Sequence, residues 1–440
     1  MQINKEFLDN CFKKYKNNSF NKIIENAITK NGIKNATYNN DIQRIHNFEF
    51  SLQTEKLGMT NQKNSGRCWI FATLNILKPI VAEKLNLKEF ELSQNYLLFW
   101  DKLEKANTIL QLFIDNPNLD FNDRLFITFM DNIIGDGGYY EWAQSLIKKY
   151  GIVPKNIMEE VSNSSDTNDL NDVLQIHLVS TIKSIQHAIN AKNDFLLAQK
   201  IKLSSLERIF EICSKALGLP PEIFTFEYRD KDDKFHKIKD ITPLNFAKEY
   251  ALIDELNMIN LTDDPRNKHP KNTILKAKYF TSVLEGDKLT FINTTINEIK
   301  NAVIESLQNK KPVWFDCDVA AFSDSKKGIM DLNLFSYEQT LRPFNNLNKE
   351  DRVNYRLSAP THAMTIVGVD LDDNNQPLKW EIENSWGDKV GSKGYFSMSD
   401  EWFNEYVFGV IVDEKFVNSN ILETAKNNTI IELEPWDILS

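Results

Sequence analysis

The 440 residues contain four cysteines and six histidines, and one of each stands where nucleophilic chemistry could be staged. The stretch Gln62-Lys63-Asn64-Ser65-Gly66-Arg67-Cys68-Trp69 runs a polar, glycine-bearing loop into a cysteine, where an apolar helical pattern begins. A cysteine attacks as its thiolate, and a free thiol of pKa near ~8.5 is mostly protonated at neutral pH. Unpaired N–H groups and the dipole at a helix start favour the negative form. The same N–H groups can receive a developing oxyanion, and Gln62, six residues before Cys68, could aim its side-chain amide there.

His362 supplies a base. Pro360 fixes a turn before it, and 363–369 reads as a strand, so the imidazole sits on a rigid mount. Asn384 follows a second predicted strand, 379–383, and a hairpin turning at 372–377 would bring it beside His362. Its amide oxygen can accept the imidazole N–H and hold the ring toward the sulfur, with Trp386 shielding that bond from water. The other thiols, Cys11, Cys213 and Cys317, read as packing residues. His46, His177, His187, His236 and His269 read as surface or hydrogen-bonded structural residues. The acidic run 370–374 is no calcium loop, because Asn375 stands where such a loop needs glycine; a solvated turn fits it. The cysteines show no CxxC spacing, so neither a disulfide framework nor a zinc site is expected, and no metal or cofactor is implied.

The elements that must carry these residues divide into two kinds. Helical patterns run from Cys68 to about residue 83 with an interruption at Pro79, over 93–112, over 140–150 ending at Gly151, and over 172–215. The polar stretch 162–171 reads as a linker. Thr242-Pro243 and Thr295-Ile296-Asn297-Glu298 are helix-start signals. Residues 276–284 and 288–292 read as a hairpin. In 313–319 the residues Val313, Phe315, Cys317 and Val319 alternate with Trp314, Asp316 and Asp318, a half-buried strand. Helices thus dominate up to about residue 270 and strands follow, an α+β plan with segregated lobes.

Composition sets the class. Hydrophobic residues make up 42% and charged residues 26%, ordinary for a soluble globular chain of more than one lobe. No apolar run approaches the roughly 18 residues of a membrane span, and the first residues show no secretory signal. Reduced thiols in a cytoplasmic setting are therefore expected. The net charge of −10, with basic residues scattered among acids, speaks against nucleic acid as a partner.

These residues resemble the papain-like cysteine peptidases, most closely the bleomycin hydrolase/aminopeptidase C branch. The resemblance lies in 60–69, 96–107, Asp136-Gly137-Gly138, 228–232, 312–319, Thr361-His362-Ala363-Met364 and Glu383-Asn384-Ser385-Trp386-Gly387-Asp388, in order along most of the chain. It implies a two-lobed papain-like fold, a helical lobe plus a β-barrel-like lobe, with a large mostly helical insertion and a C-terminal arm. The corresponding divisions are 1–155, 156–270, 271–418 and 419–440. By the same resemblance Cys68 is the nucleophile, His362 the base and then the acid, Asn384 the orienter and Gln62 an oxyanion donor. Gly137, Gly138, Trp386 and Ser440 would bind substrate, the arm's terminal carboxylate holding the free amino group of a peptide. The branch also implies a homohexamer. An endopeptidase of the same branch is the alternative if a shortened arm leaves the cleft open, and a catalytically silent ring-shaped binding protein is a remote one. Transglutaminase-like acyl transfer also starts from a Gly-x-Cys-Trp segment, but uses Asp where Asn384 stands.

Overall fold

The computed structural model describes residues 2–343 and 345–440. The helix Cys68–Lys84 is apolar nearly all round, so it is buried on every side: Trp69, Ile70, Phe71, Leu74, Leu77 and Val81 are at most 3% exposed. The interruption expected at Pro79 does not occur, because Ile76, Leu77, Val81 and Ala82 pack on both sides of the proline and hold the helix to Lys84. Gln94–Asp115 starts at Ser93, whose hydroxyl accepts the Tyr96 N–H. Tyr140–Tyr150 stops at Gly151, whose φ of 80° and close approach to Pro243 leave no room for a side chain. The periodic segment after residue 170 forms two antiparallel helices, Asn168–Asn190 and Phe195–Leu217, packed on Gln94–Asp115 through residues such as Leu174, Leu178, Ile209 and Cys213.

The stretch 162–171 is not a linker. Ser162–Ser165 is a helical turn with Ser164 fully buried, and Asn168 opens the long helix. Its short polar side chains read as flexible because they disfavour helix interiors, yet here they satisfy helix ends and neighbouring loops.

Among the described residues the strands build one 12-stranded sheet and a separate pair, Phe224–Arg229 with Phe235–Ile241. In the large sheet Leu52–Gln53 pairs with His362–Leu371, and Met258–Thr262 pairs with Val407–Asp413. The expected hairpin forms, but from Thr273–Ala277 and Thr290–Asn293. Residues beyond Ala277 leave the ladder because Phe280 turns to pack against Trp142 and Tyr139. Val313–Cys317 lies between Val407–Asp413 and His362–Leu371, with Cys68–Lys84 and Ile296–Gln308 packed on it. It is therefore buried on both faces: Trp314, expected outward, is 2% exposed. At one edge Ile431–Leu433 runs parallel to Thr273–Ala277. Beyond it Arg266 bridges Asp264 and Asp437, tying the last residues to the sheet. Helices on both faces of the mixed sheet's strands that carry Asp316 and His362 make this an α+β papain-like fold.

Candidate active site

Cys68 is the first residue of its helix. The N–H groups of Ile70 and Phe71 return to the Arg67 carbonyl, so those of Cys68 and Trp69 have no backbone acceptor among the described residues. Arg67 itself is fully buried. Its guanidinium makes a two-point pair with Glu160 at 2.9 and 2.7 Å, and its Nε donates to Ser65 Oγ at 2.9 Å. Asn64 donates its backbone N–H to the Ser165 carbonyl and its side-chain amide to Asp166. The loop before Cys68 is thus held by the segment whose sequence looked like a linker.

Asp136 gathers this loop from the other side. Its carboxylate accepts from the Gly66 N–H at 2.9 Å, Lys102 at 2.7 Å, Asn171 at 3.0 Å and Thr167 at 2.5 Å, and its carbonyl accepts from Trp69 Nε1 at 2.6 Å. Burial would raise this carboxyl, but the Lys102 charge and these donors hold it well below the ordinary carboxylate range. Lys105 donates to the carbonyls of Gly135 and Gly137 and to Asp101, which fixes the Gly137-Gly138 segment beside the cysteine. A Cβ at Gly138 would lie 2.6 Å from the Trp69 ring, whereas one at Gly137 would meet nothing within 4 Å.

His362 opens the strand His362–Leu371, which pairs antiparallel with Pro377–Glu383. Asp372 accepts N–H bonds from Asn374 and Gln376 in the turn, and Asn384 follows the returning strand. His362 Nε2 lies 3.0 Å from Asn384 Oδ1, which leaves Nδ1 for Cys68. Asn384 is fully buried, and its Oδ1 also accepts the Ser385 N–H at 2.8 Å. The Trp386 ring lies 4.9 Å from the imidazole. Trp386, expected in contact with substrate, is absent from the cavity wall, because its indole packs over His362 and against Phe396.

Burial alone would push the Cys68 thiol up. The charge of His362, a hydrogen bond from its ring and the N–H groups of Ala363 and Trp69 together hold it below the ordinary value. Burial would lower His362, but the Cys68 charge and the bonds to Cys68 and Asn384 raise it. Both shifts favour a thiolate–imidazolium pair. Cys317 takes the opposite direction: fully buried, with acidic neighbours, it is pushed well above the usual thiol value.

Gln62 is 6% exposed and gripped at both ends. Its Oε1 accepts from Ser385 Oγ at 2.6 Å, its Nε2 donates to the Ser65 carbonyl at 2.6 Å, and its backbone N–H meets the Ser385 carbonyl at 2.8 Å. The amide has a second N–H to offer.

Cys68, His362 and Gln62 line one cavity of about 1270 Å³, together with Gly137, Gly138 and Ser440. Two acidic residues in and behind this wall were not singled out from the sequence as site residues, Asp316 in the lining and Glu141 behind it. Their only sequence signal is a charge beside apolar residues, in a strand and at a helix start.

The chain matches the family model described as Peptidase C1-like family over residues 2–440. It is 37% identical to "Aminopeptidase C" of Listeria monocytogenes over 436 residues, 98% of this chain and 97% of that protein. It is 37% identical to "Bleomycin hydrolase" of Homo sapiens over 416 residues, 92% of this chain and 90% of that protein. The crystal structure of PepW from Lactobacillus rhamnosis HN001 superposes with a TM-score of 0.96 at 32% identity, covering 100% of this chain and 98% of that one. The chain belongs to the Peptidase C1-like family.

Proposed function

We propose that this chain is a cysteine aminopeptidase that removes N-terminal residues from peptides. Cys68, polarised by His362, attacks the first peptide carbonyl; the N–H groups at the helix start and the Gln62 amide take the oxyanion. His362 gives its proton to the departing amine, leaving an acyl-enzyme on Cys68. Water, deprotonated by the same imidazole, releases the amino acid. Asn384 acts by orienting His362, and Gly137 offers open backbone to the substrate beside its scissile bond.

The observation that carries this reading is that Ser440 lines the same cavity as Cys68 and His362. Pro435 and Ser440 in this wall would obstruct long N-terminal extensions of a bound peptide, which supports the exopeptidase mode over the endopeptidase one. Cys68→Ala should abolish turnover without unfolding the chain. Wild type should cleave a free aminoacyl fluorogenic amide in preference to its N-acetyl form; the reverse preference would sink the aminopeptidase assignment.

The cytoplasmic setting and the homohexamer belong to the same proposal. Among the described residues no helix is long and apolar enough to cross a membrane. The helices Lys5–Lys16 and Ser19–Asn31 leave Phe7, Phe12, Phe20 and Ile23 at least half exposed, a face that self-association would cover. Light scattering on the purified chain gives the stoichiometry, and a monomer at micromolar concentration would count against the ring.

A further inference from the structure

Asp316 is an acidic side chain of the cavity wall, in the strand paired with His362–Leu371, to which the peptidase chemistry gives no task. Asp316 stands in a strand whose other residues, Val313, Trp314, Phe315 and Cys317, are at most 2% exposed, and it alone reaches the cavity as an acid from that strand. In register it faces Ala363 on one side and Gly409 on the other. Ala363 follows His362, and its N–H bonds to the Cys68 sulfur. Asp316 therefore lies one strand spacing, about 4.8 Å, from a residue that touches the nucleophile.

Its carboxyl is short of partners. Oδ1 accepts the Gly409 N–H at 2.7 Å; among the described residues Oδ2 has no donor and no lysine or arginine forms an ion pair with it. The cation that acts on it, Lys349, is committed elsewhere, to Asp263 at 2.7 Å and to the carbonyls of Asn404 and Val407. Behind it lies a second acid. Glu141 is 8% exposed, its Oε1 takes the Asn260 amide at 3.0 Å, and its Oε2 has no donor among the described residues. Burial pushes both carboxyls up to about 7, with the Glu141 charge adding to the rise at Asp316 and the Asp287 charge to that at Glu141. Buried acids that lack a counter-charge are costly to ionise, and a cation entering the cavity would complete the site.

The cation that aminopeptidase chemistry brings is an alkylammonium. In a peptide losing its first residue, the α-nitrogen is two bonds from the carbonyl carbon that Cys68 attacks. Its counter-charge must lie within about one residue of the reacting sulfur, on the Gly138 and Tyr139 side of His362 and away from Trp386. Asp316 meets both conditions: it pairs in register with Ala363, and its charge acts on Tyr139 in the same cavity wall. We propose that Asp316 is a specificity-determining residue whose free carboxyl oxygen receives the substrate's α-ammonium group. This rests on the aminopeptidase reading above, and it adds a recognition element on the sheet to the one at Ser440. A lysine or arginine side chain on the residue preceding the cleaved one carries the same kind of charge and is the competing source.

The test uses the full chain and Asp316→Asn, which keeps the shape and the Gly409 bond. Three probes distinguish the sources: a leucyl fluorogenic amide with a free amine, its N-acetyl form, and an N-acetyl-lysyl-leucyl amide. Replacing the charge should lower kcat/KM for the free amine between roughly tenfold and a hundredfold, mostly through KM, and leave the N-acetyl-leucyl probe within twofold. Asp316→Glu should recover part of the free-amine preference. The rate of Cys68 alkylation by neutral iodoacetamide should stay unchanged, which shows that the nucleophile is intact. A free-amine kcat/KM within twofold of wild type overturns the proposal. So does an equal loss on the free-amine and N-acetyl-leucyl probes, which marks a structural role, or a loss confined to the lysyl probe, which moves the charge to a side chain. The aminopeptidase reading fails separately, and from wild type alone, if the blocked leucyl probe is the better substrate.

Discussion

Asp136 and Asp316 line the same cavity, and their surroundings are opposite. Asp136 accepts from Gly66, Lys102, Thr167 and Asn171, and the nearby charge keeps it ionised. Asp316 has one donor and a buried acidic neighbour, and burial lifts it to about 7. The first is saturated by the protein itself, so its charge is used to position the loop before Cys68. The second is left open toward the cavity, so its charge is available to something that enters. A buried carboxylate is informative about function mainly through the donors it lacks.

Asp136→Ala should break this contrast most severely. It strips the fully buried Lys102 ammonium of its counter-charge and frees the Gly66 loop, at a cost of about 3–5 kcal/mol in denaturant unfolding and with loss of turnover. A variant within 1 kcal/mol of wild type would show that the network does not hold the loop. Next in size is Gly138→Ala. Its methyl would press on a Trp69 ring already fixed by the bond to the Asp136 carbonyl, so about 1–3 kcal/mol of stability should go with most of the activity. Gly137→Ala has open space around its Cβ and should keep its stability while KM rises. Equal stability of the two alanine variants would contradict the packing described.

The pH dependence of stability sharpens the comparison. Asp316 has a raised pKa, so the folded chain holds its proton up to about 7 while the unfolded chain releases it near ~4. That difference erodes stability as pH rises across this window. Asp316→Asn should therefore be more stable than wild type at pH 8, on the order of 2 kcal/mol, and equal to it at pH 4. Asp136 is depressed, so its stabilisation is present above the ordinary carboxylate range and is lost as pH falls below ~4. Melting curves from pH 3 to 8 would show both limbs, and a variant equally displaced at pH 4 and pH 8 would refute the assignment. The smallest effect is expected at Asp437→Asn, which weakens the Arg266 bridge to the last residues. About 1 kcal/mol and faster proteolysis of 434–440 should result, with little change in the rate of Cys68 alkylation.

The juxtaposition of Cys68, His362 and Asn384 was legible because each carries its signal locally. Cys68 follows a glycine loop at a helix start, His362 follows a proline turn at a strand entry, and Asn384 closes a two-strand hairpin. Asp316 was not, since period-2 alternation assigns it to an outward face, and only the helices packed over the strand turn that face inward. The segment 162–171 was misread for a related reason. Ser, Asn and Asp signal both loops and caps, and which of these they form depends on partners distant in the chain, Asn64 for Asp166 and Asp136 for Thr167 and Asn171. Trp386 was read both as a shield over the His362–Asn384 bond and, by motif, as a substrate contact; its indole packs over His362 and does not line the cavity.

The central claim is that Cys68 is held as a thiolate by His362. It is tested most directly by the rate of Cys68 alkylation with iodoacetamide as a function of pH, in wild type and in His362→Ala. In wild type, alkylation should persist well below the ordinary thiol pKa of ~8.5. With the imidazole removed, burial should push the titration to or above that value. Superimposable profiles for the two proteins would contradict the account.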